Sequence, residues 1–280
     1  MSAENQRLTG EFLRDKDRDR YLSTLVLSGA TRDAIVSLYA FNADVASIRE
    51  RVSDPAPGEI RLQWWNDALT GEGHGAVRSN PVADCLLDTV KTYAIPTGTL
   101  QRLLAARRFD LYGDPMPDLE TFEGYAGETT STLYQLAAMV LNNGAVIEAG
   151  DAAGHLGVAH AMIGHLRAFG YNASMGRMFL PWSIFEANGV AERDVFSGTA
   201  SEGVVEAWSQ IAELASGHLN KAEAAIKQLP PPLRPAFATL SVLKAQHRLV
   251  LKSSDPFGAA PDLAAWQKIA AMSWWMLTGR

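Results

Sequence analysis

The sequence predicts an all-α protein, and three observations carry that prediction. Apolar residues recur at helical spacing, as in Ile35, Leu38, Tyr39, Phe41, Val45 and Ile48. No run of useful length alternates Val, Ile or Thr with polar residues, and no Asn-Gly pair joins two such runs. Breaks fall at Gly and Pro, with short connections and no linker. Together these predict one domain of about ten helices around a common core.

The elements follow in order. Arg14–Arg20 alternates in sign and reads as a solvated helix start or an N-terminal arm, residues 1–17, ahead of a domain over 18–280. Apolar periodicity starts at Tyr21 and pauses at Gly29. Thr31 then reads as an N-cap, with Asp33 in the first turn of a helix stopped by Pro55 and Pro57. Short helices are expected over Ile60–Leu69, Pro81–Tyr93 and Leu100–Leu111. Two apolar ones should follow: Leu119–Leu141, bent or broken near Gly124–Gly127, and Ala152–Phe169. Residues 170–181 look irregular. A long alanine-rich amphipathic helix, Glu202–Leu229, stops at Pro230-Pro231-Pro232, and Leu233–Ser253 and Leu263–Leu277 complete the chain.

Composition excludes several classes. A formal net charge of -6 argues against a nucleic-acid binder. One cysteine, Cys85, leaves no internal disulfide or multi-cysteine metal cluster, and its apolar stripe makes it a small buried hydrophobe. The N-terminus lacks the apolar core of a signal peptide and is too acidic for a transit peptide. No apolar run approaches the ~20 residues that span a bilayer. A cytoplasmic protein, at most peripheral on the inner membrane, is the expectation.

Chemistry-bearing patterns are few. Asp84 and Asp88 share a helix face but border an apolar stripe, so a solvated face explains them. Asp110 and Asp114 have the same spacing, with Gly113 and Pro115 placing the second in a turn, as a cap or a pocket rim. His155, His160 and His165 step by five, about 140° per step on a helix, so they cannot converge on one ion. His-Glu-x-x-His, Gly-x-Ser-x-Gly and phosphate-loop patterns are absent. Arg107, Arg108 and Arg167 lie on otherwise apolar helices; turned inward, they would suit an acidic group. Trp64-Trp65 and Trp274-Trp275 read as core, with a partner-binding or membrane-facing patch as the other reading.

Several of these segments together resemble the squalene/phytoene synthase family. The resemblance runs from about Arg18 to the C-terminus. It is carried by Tyr39-Ala40-Phe41, the Tyr125–Leu141 helix, Arg108-Phe109-Asp110-Leu111, Leu166-Arg167 and Phe179-Leu180-Pro181. It implies an isoprenoid-synthase-like helical bundle with a central cavity. That family's enzymes condense two prenyl diphosphates and hold Mg²⁺ on two acidic motifs. Here the first motif's positions are Ala46, Ser47 and Glu50, leaving one carboxylate. The second motif's acids are replaced by Ala168 and Asn172, and only Leu166-Arg167 survives. Magnesium requires hard anionic oxygens, so no metal or other cofactor is expected.

One branch looks closer still: a mitochondrial complex I assembly factor with a synthase-like fold. That likeness rests on Asn42, Arg61-Leu62-Gln63-Trp64-Trp65, Tyr125 with Ser131-Thr132-Leu133-Tyr134, His155-Leu156-Gly157, Ala168, and Arg177-Met178-Phe179-Leu180-Pro181. It implies a non-catalytic protein that works with respiratory complex I subunits or assembly intermediates, with an isoprenoid or lipid as a candidate ligand. Tyr39, Glu50, Arg108, Asp110, Arg167 and Arg177 are the candidate cavity residues. The alternative is a prenyl transferase with a relocated Mg²⁺ site built from Glu50, Asp110 and Asp114. A plain lipid carrier is a third reading.

Overall fold

A computed structural model describes residues 2–278, and they form α-helices joined by short turns, with no strand among them. In chain order these are α1 (Ala3–Lys16), α2 (Arg18–Ser23), α3 (Gly29–Ala46), α4 (Pro55–Thr70), α5 (Pro81–Thr92), α6 (Thr97–Arg107), α7 (Phe109–Tyr112) and α8 (Leu119–Ala126). They continue with α9 (Thr132–Leu141), α10 (Gly150–Arg167), α11 (Phe169–Ser174), α12 (Trp182–Ala187), α13 (Glu192–Phe196), α14 (Glu202–Gln228), α15 (Thr239–Val250) and α16 (Ala265–Thr278). This exceeds the expected ten because several helices are split at tight turns.

Two helices organise the core. α10 packs along α14 and also meets α9 and α15, while α3 packs on α1, α5 and α9. Along α14, Val204, Ala207, Trp208, Ile211, Ala212, Ala215, Leu219, Ala222 and Ile226 are buried, a single stripe recurring every three to four residues. At 1.5 Å per residue α14 is about 40 Å long. Its Ser201 N-cap accepts from the Val204 amide at 3.4 Å, and its C-cap Leu229 precedes Pro230.

The expected break near Gly124–Gly127 is a π-helical turn over Gly127–Ser131 that joins α8 to α9. It packs directly on α10, where a Cβ at Gly157 would overlap the Ser131 backbone and hydroxyl. Gly157 therefore sets how closely α10 can approach that turn.

Four expectations need correction. The N-terminal arm is a helix packed on α3 and α5, with Leu13 and Thr9 buried. Its alternating charges conceal the few residues that face inward. α3 starts at Gly29, before Thr31, after a Ser28 N-cap. Pro55 opens α4 instead of only closing the preceding segment; Pro at the first helical position loses no intrahelical hydrogen bond. The stretch after Arg167 re-enters helix as α11 before turning irregular.

The tryptophan pairs divide. Trp65 is buried edge-on against Phe41, with ring centroids 4.9 Å apart, whereas Trp64 is half-buried. Trp275 is buried and Trp274 is exposed. Among the described residues, no helix is long and apolar enough to cross a membrane.

Candidate functional site

Three of the candidate residues, Tyr39, Asp110 and Arg167, sit in three polar groups. The first joins α3, α6, α7 and α8. Arg107, ending α6, donates from Nη1 to Asp110 Oδ2 at 3.0 Å and to the Tyr125 hydroxyl at 2.8 Å. Its Nη2 reaches Asn42 Oδ1 at 3.3 Å, and Tyr125 donates to Asp110 Oδ1 at 2.6 Å. Burial opposes the Arg107 charge, but Tyr125 and Asp110 outweigh it and hold the guanidinium protonated. Burial also pushes the Tyr125 phenol well above its ordinary range.

Phe179 borders this group. Its ring stacks on His165 at 4.9 Å and meets Phe109 at 6.4 Å. His165 is pushed down to about 4 by burial, with the Arg107 charge adding to the effect. The irregular Arg177–Pro181 segment is tied to Met116: Met116 N–H donates to the Met178 carbonyl at 2.8 Å, and Trp182 N–H to the Met116 carbonyl at 2.7 Å. Met178 and Leu180 are both buried.

The second group lies between α2, α3, α9 and α10. Arg20 pairs with Asp17 at 2.8 Å and stands over the Tyr39 ring at 5.7 Å. Tyr134 Oη lies 2.7 Å from both His160 Nδ1 and Thr239 Oγ1. Burial pushes Tyr134 up to about 12 and His160 down to about 3, Arg20 adding to the latter.

The third ties α2, α10, α15 and α16 together. Lys268 Nζ is 2.6 Å from both Asp19 Oδ1 and Asp262 Oδ2, and Arg167 Nη2 is 2.9 Å from Asp262 Oδ2. The adjoining void, lined by His160, Thr239, Gln246 and Lys268, measures about 10 Å³, room for no more than a water.

The individual candidates are placed as follows. Tyr39 is buried under Arg20, Asp110 is buried in the first group, and Arg167 is spoken for by Asp262. Glu50 is exposed in the turn after α3. Arg108 points outward, 3.0 Å from Glu59; the inward arginine of that pair is Arg107. Arg177 is half-buried, and its Nε, like those of Arg107 and Arg167, is shielded without a protein partner. Asp114 is exposed, so Glu50, Asp110 and Asp114 occupy three different settings. The histidines diverge: His155 faces His218, His160 faces Tyr134 and His165 faces Phe179. Asp84 and Asp88 both bind Arg78, at 2.6 and 2.8 Å. Cys85 is buried and accepts from Thr9 at 3.4 Å.

The sequence does not single out Arg107 and Asn42 as partners. The one signal is the Arg107-Arg108 doublet on an otherwise apolar helix, and spacing alone places neither arginine inward.

Comparison with known proteins fits this arrangement. The squalene/phytoene synthase profile matches residues 13–267. The chain belongs to the squalene/phytoene synthase family. Its similarity to human NADH dehydrogenase (ubiquinone) complex I, assembly factor 6 is 30% identity over 227 residues, covering 81% of this chain and 68% of the human protein. The 15-cis-phytoene synthase of Synechococcus elongatus is 22% identical over 276 residues, covering 90% and 86%. Among solved structures, a dehydrosqualene synthase bound to a ligand superposes with TM-score 0.81 at 17% identity, covering 97% of this chain and 95% of that one. Squalene synthase from Alicyclobacillus acidocaldarius gives 0.70 at 16% identity, covering 99% and 94%. The synthase likeness shows the helical fold.

Proposed function

We propose that this protein is a non-catalytic member of the family that acts in assembling respiratory complex I. One observation carries the reading. The chain is 30% identical to a complex I assembly factor, and at the positions where the family resemblance expects metal-binding acids it has Ala46, Ser47, Ala168 and Asn172. The residues present do not suit Mg²⁺: Glu50 is the one carboxylate left at those positions, and it is exposed, while Arg167 is paired with Asp262. The polar centre acts instead as a set of internal clamps joining α2, α3, α6, α8, α10 and α16. Such a body offers a partner a fixed surface without needing a reaction.

A second, compatible element is an acidic ligand such as a lipid headgroup or isoprenoid phosphate; the shielded Nε atoms of Arg107, Arg167 and Arg177, each without a protein partner, support it.

The test is a deletion strain of the source organism, with membrane complexes resolved on a native gel and NADH:ubiquinone reductase activity assayed. The reading expects loss of assembled complex I, restored by the wild-type gene and by Glu50→Ala. Normal complex I in the deletion strain contradicts it.

A further inference from the structure

Helix α16 is built with its charge inside and two of its three indoles outside, Trp275 being buried. Lys268 is the one formally charged residue in its sequence, AWQKIAAMSWWMLT, and it is 4% exposed. It is locked between Asp19 and Asp262, each of which also accepts from Gln246 Nε2, at 2.9 and 3.1 Å. On the other side Trp266 is 70% exposed, Trp274 65% and Leu277 84%. At about 100° per residue, positions 266, 270, 273, 274 and 277 share one face. Ala270 and Ser273 are also exposed, so the outer strip carries no charge along its length.

The exposure is clustered. α16 packs on α2, on the turn Thr24–Val26 and on α15. That turn exposes Leu25, and Leu251 is exposed just past α15. Among the described residues, five of the eleven exposed large apolar side chains thus lie on or next to these mutually packed elements. Scattered apolar residues need no explanation, but a gathered set marks a contact surface.

Shape and charge select the occupant. A single convex helix offers no groove to grip a partner's side chain, and it suits a flat surface. The chain's net charge of -6 would meet like charge on a second copy or on an anionic membrane. An uncharged strip has no such conflict with a zwitterionic lipid interface, where an indole buries its ring and hydrogen-bonds through its N–H. At 14 residues α16 is about 21 Å long, too short to cross a bilayer core of about 30 Å, so it would lie in the membrane plane. We propose that α16 is a membrane-contact helix that lays Trp266, Trp274 and Leu277 into the interface of a zwitterionic bilayer. The proposal stands on α16 itself and, under the assembly reading, gives the protein its place of work.

The test uses the full chain with sucrose-loaded vesicles of phosphatidylcholine and phosphatidylethanolamine. The expected result is co-sedimentation that changes little between low and high salt, a blue shift of tryptophan emission, and quenching by brominated phosphatidylcholine. The triple variant Trp266→Ser/Trp274→Ser/Leu277→Ser should lose more than about tenfold in partitioning, and Ala270→Asp should lose binding as well, both with Tm unchanged. Wild-type protein that stays in the supernatant, or variants that bind as well as wild type, would overturn the proposal. So would a wild-type dimer, broken by the triple variant, that does not bind vesicles. Vesicle binding alongside normal complex I in a deletion strain would support this proposal while refuting the assembly reading alone.

Discussion

The Tyr125 hydroxyl donates to Asp110 Oδ1 at 2.6 Å, while the other oxygen of Asp110 takes Arg107 at 3.0 Å. Both oxygens of this carboxylate are therefore engaged within the protein. Asp110→Ala would leave the Arg107 guanidinium withdrawn from solvent without its counter-charge, and should destabilise the fold by about 3–5 kcal/mol in urea denaturation. Replacing both partners, Arg107→Met with Asp110→Leu, should recover most of that loss. The exposed neighbour serves as control: Arg108→Ala, which breaks only the pair with Glu59, should stay within about 1 kcal/mol of wild type.

Gly157→Ala should cost about 1–3 kcal/mol, because the added methyl meets the Ser131 backbone and α10 must move off the π-helical turn. Gly154→Ala, three residues earlier on the same helix, meets nothing within 4 Å and should be neutral or slightly stabilising. Paired thermal melts of the two variants check this.

Stability should fall with acid in a window set by two histidines. His160 and His165 are held neutral in the fold, at about 3 and about 4, against 6.5 for an ordinary histidine. Between pH 6.5 and 4 the unfolded chain takes up protons that the folded chain refuses. Their contribution is thus complete above pH 6.5 and is lost as pH falls toward the folded values, on the order of a few kcal/mol each. Tm measured from pH 7 to pH 5 should drop, and His165→Phe, which keeps the stack on Phe179, should flatten the slope. An unchanged slope would contradict this assignment.

Lys268→Met should lower stability by about 1–3 kcal/mol. The loss is tempered because the side chains of Asp19 and Asp262 remain 32% and 38% exposed and Arg167 still reaches Asp262. Lys268→Arg should recover part of it. Equal stability of Lys268→Met and wild type would show that the cluster does not fasten α16.

What was readable in the sequence followed from periodicity and punctuation. The stripe of α14 and its stop before Pro230, the break after Gly124 and the divergence of His155, His160 and His165 all depend on geometry within one helix. What was not readable depends on partners far along the chain. The sign alternation of Arg14–Arg20 reads as solvated, yet Asp17 and Arg20 neutralise each other over the Tyr39 ring. Arg107 and Arg108 are neighbours in sequence, yet Asn42 and Tyr125 claim one and Glu59 the other. Lys268 inside and Trp266 outside reverse what residue type suggests, because Asp19 lies 249 residues away.

The central claim is that the family's metal-dependent prenyl transfer is lost, and the most direct measurement is diphosphate release. Purified protein would be incubated with farnesyl diphosphate and Mg²⁺. The proposed non-catalytic role, in which Ala46, Ser47, Ala168 and Asn172 stand where the family resemblance expects acids, predicts no release above a protein-free control. Mg²⁺-dependent turnover that Glu50→Ala abolishes would contradict the account and restore the prenyl transferase reading.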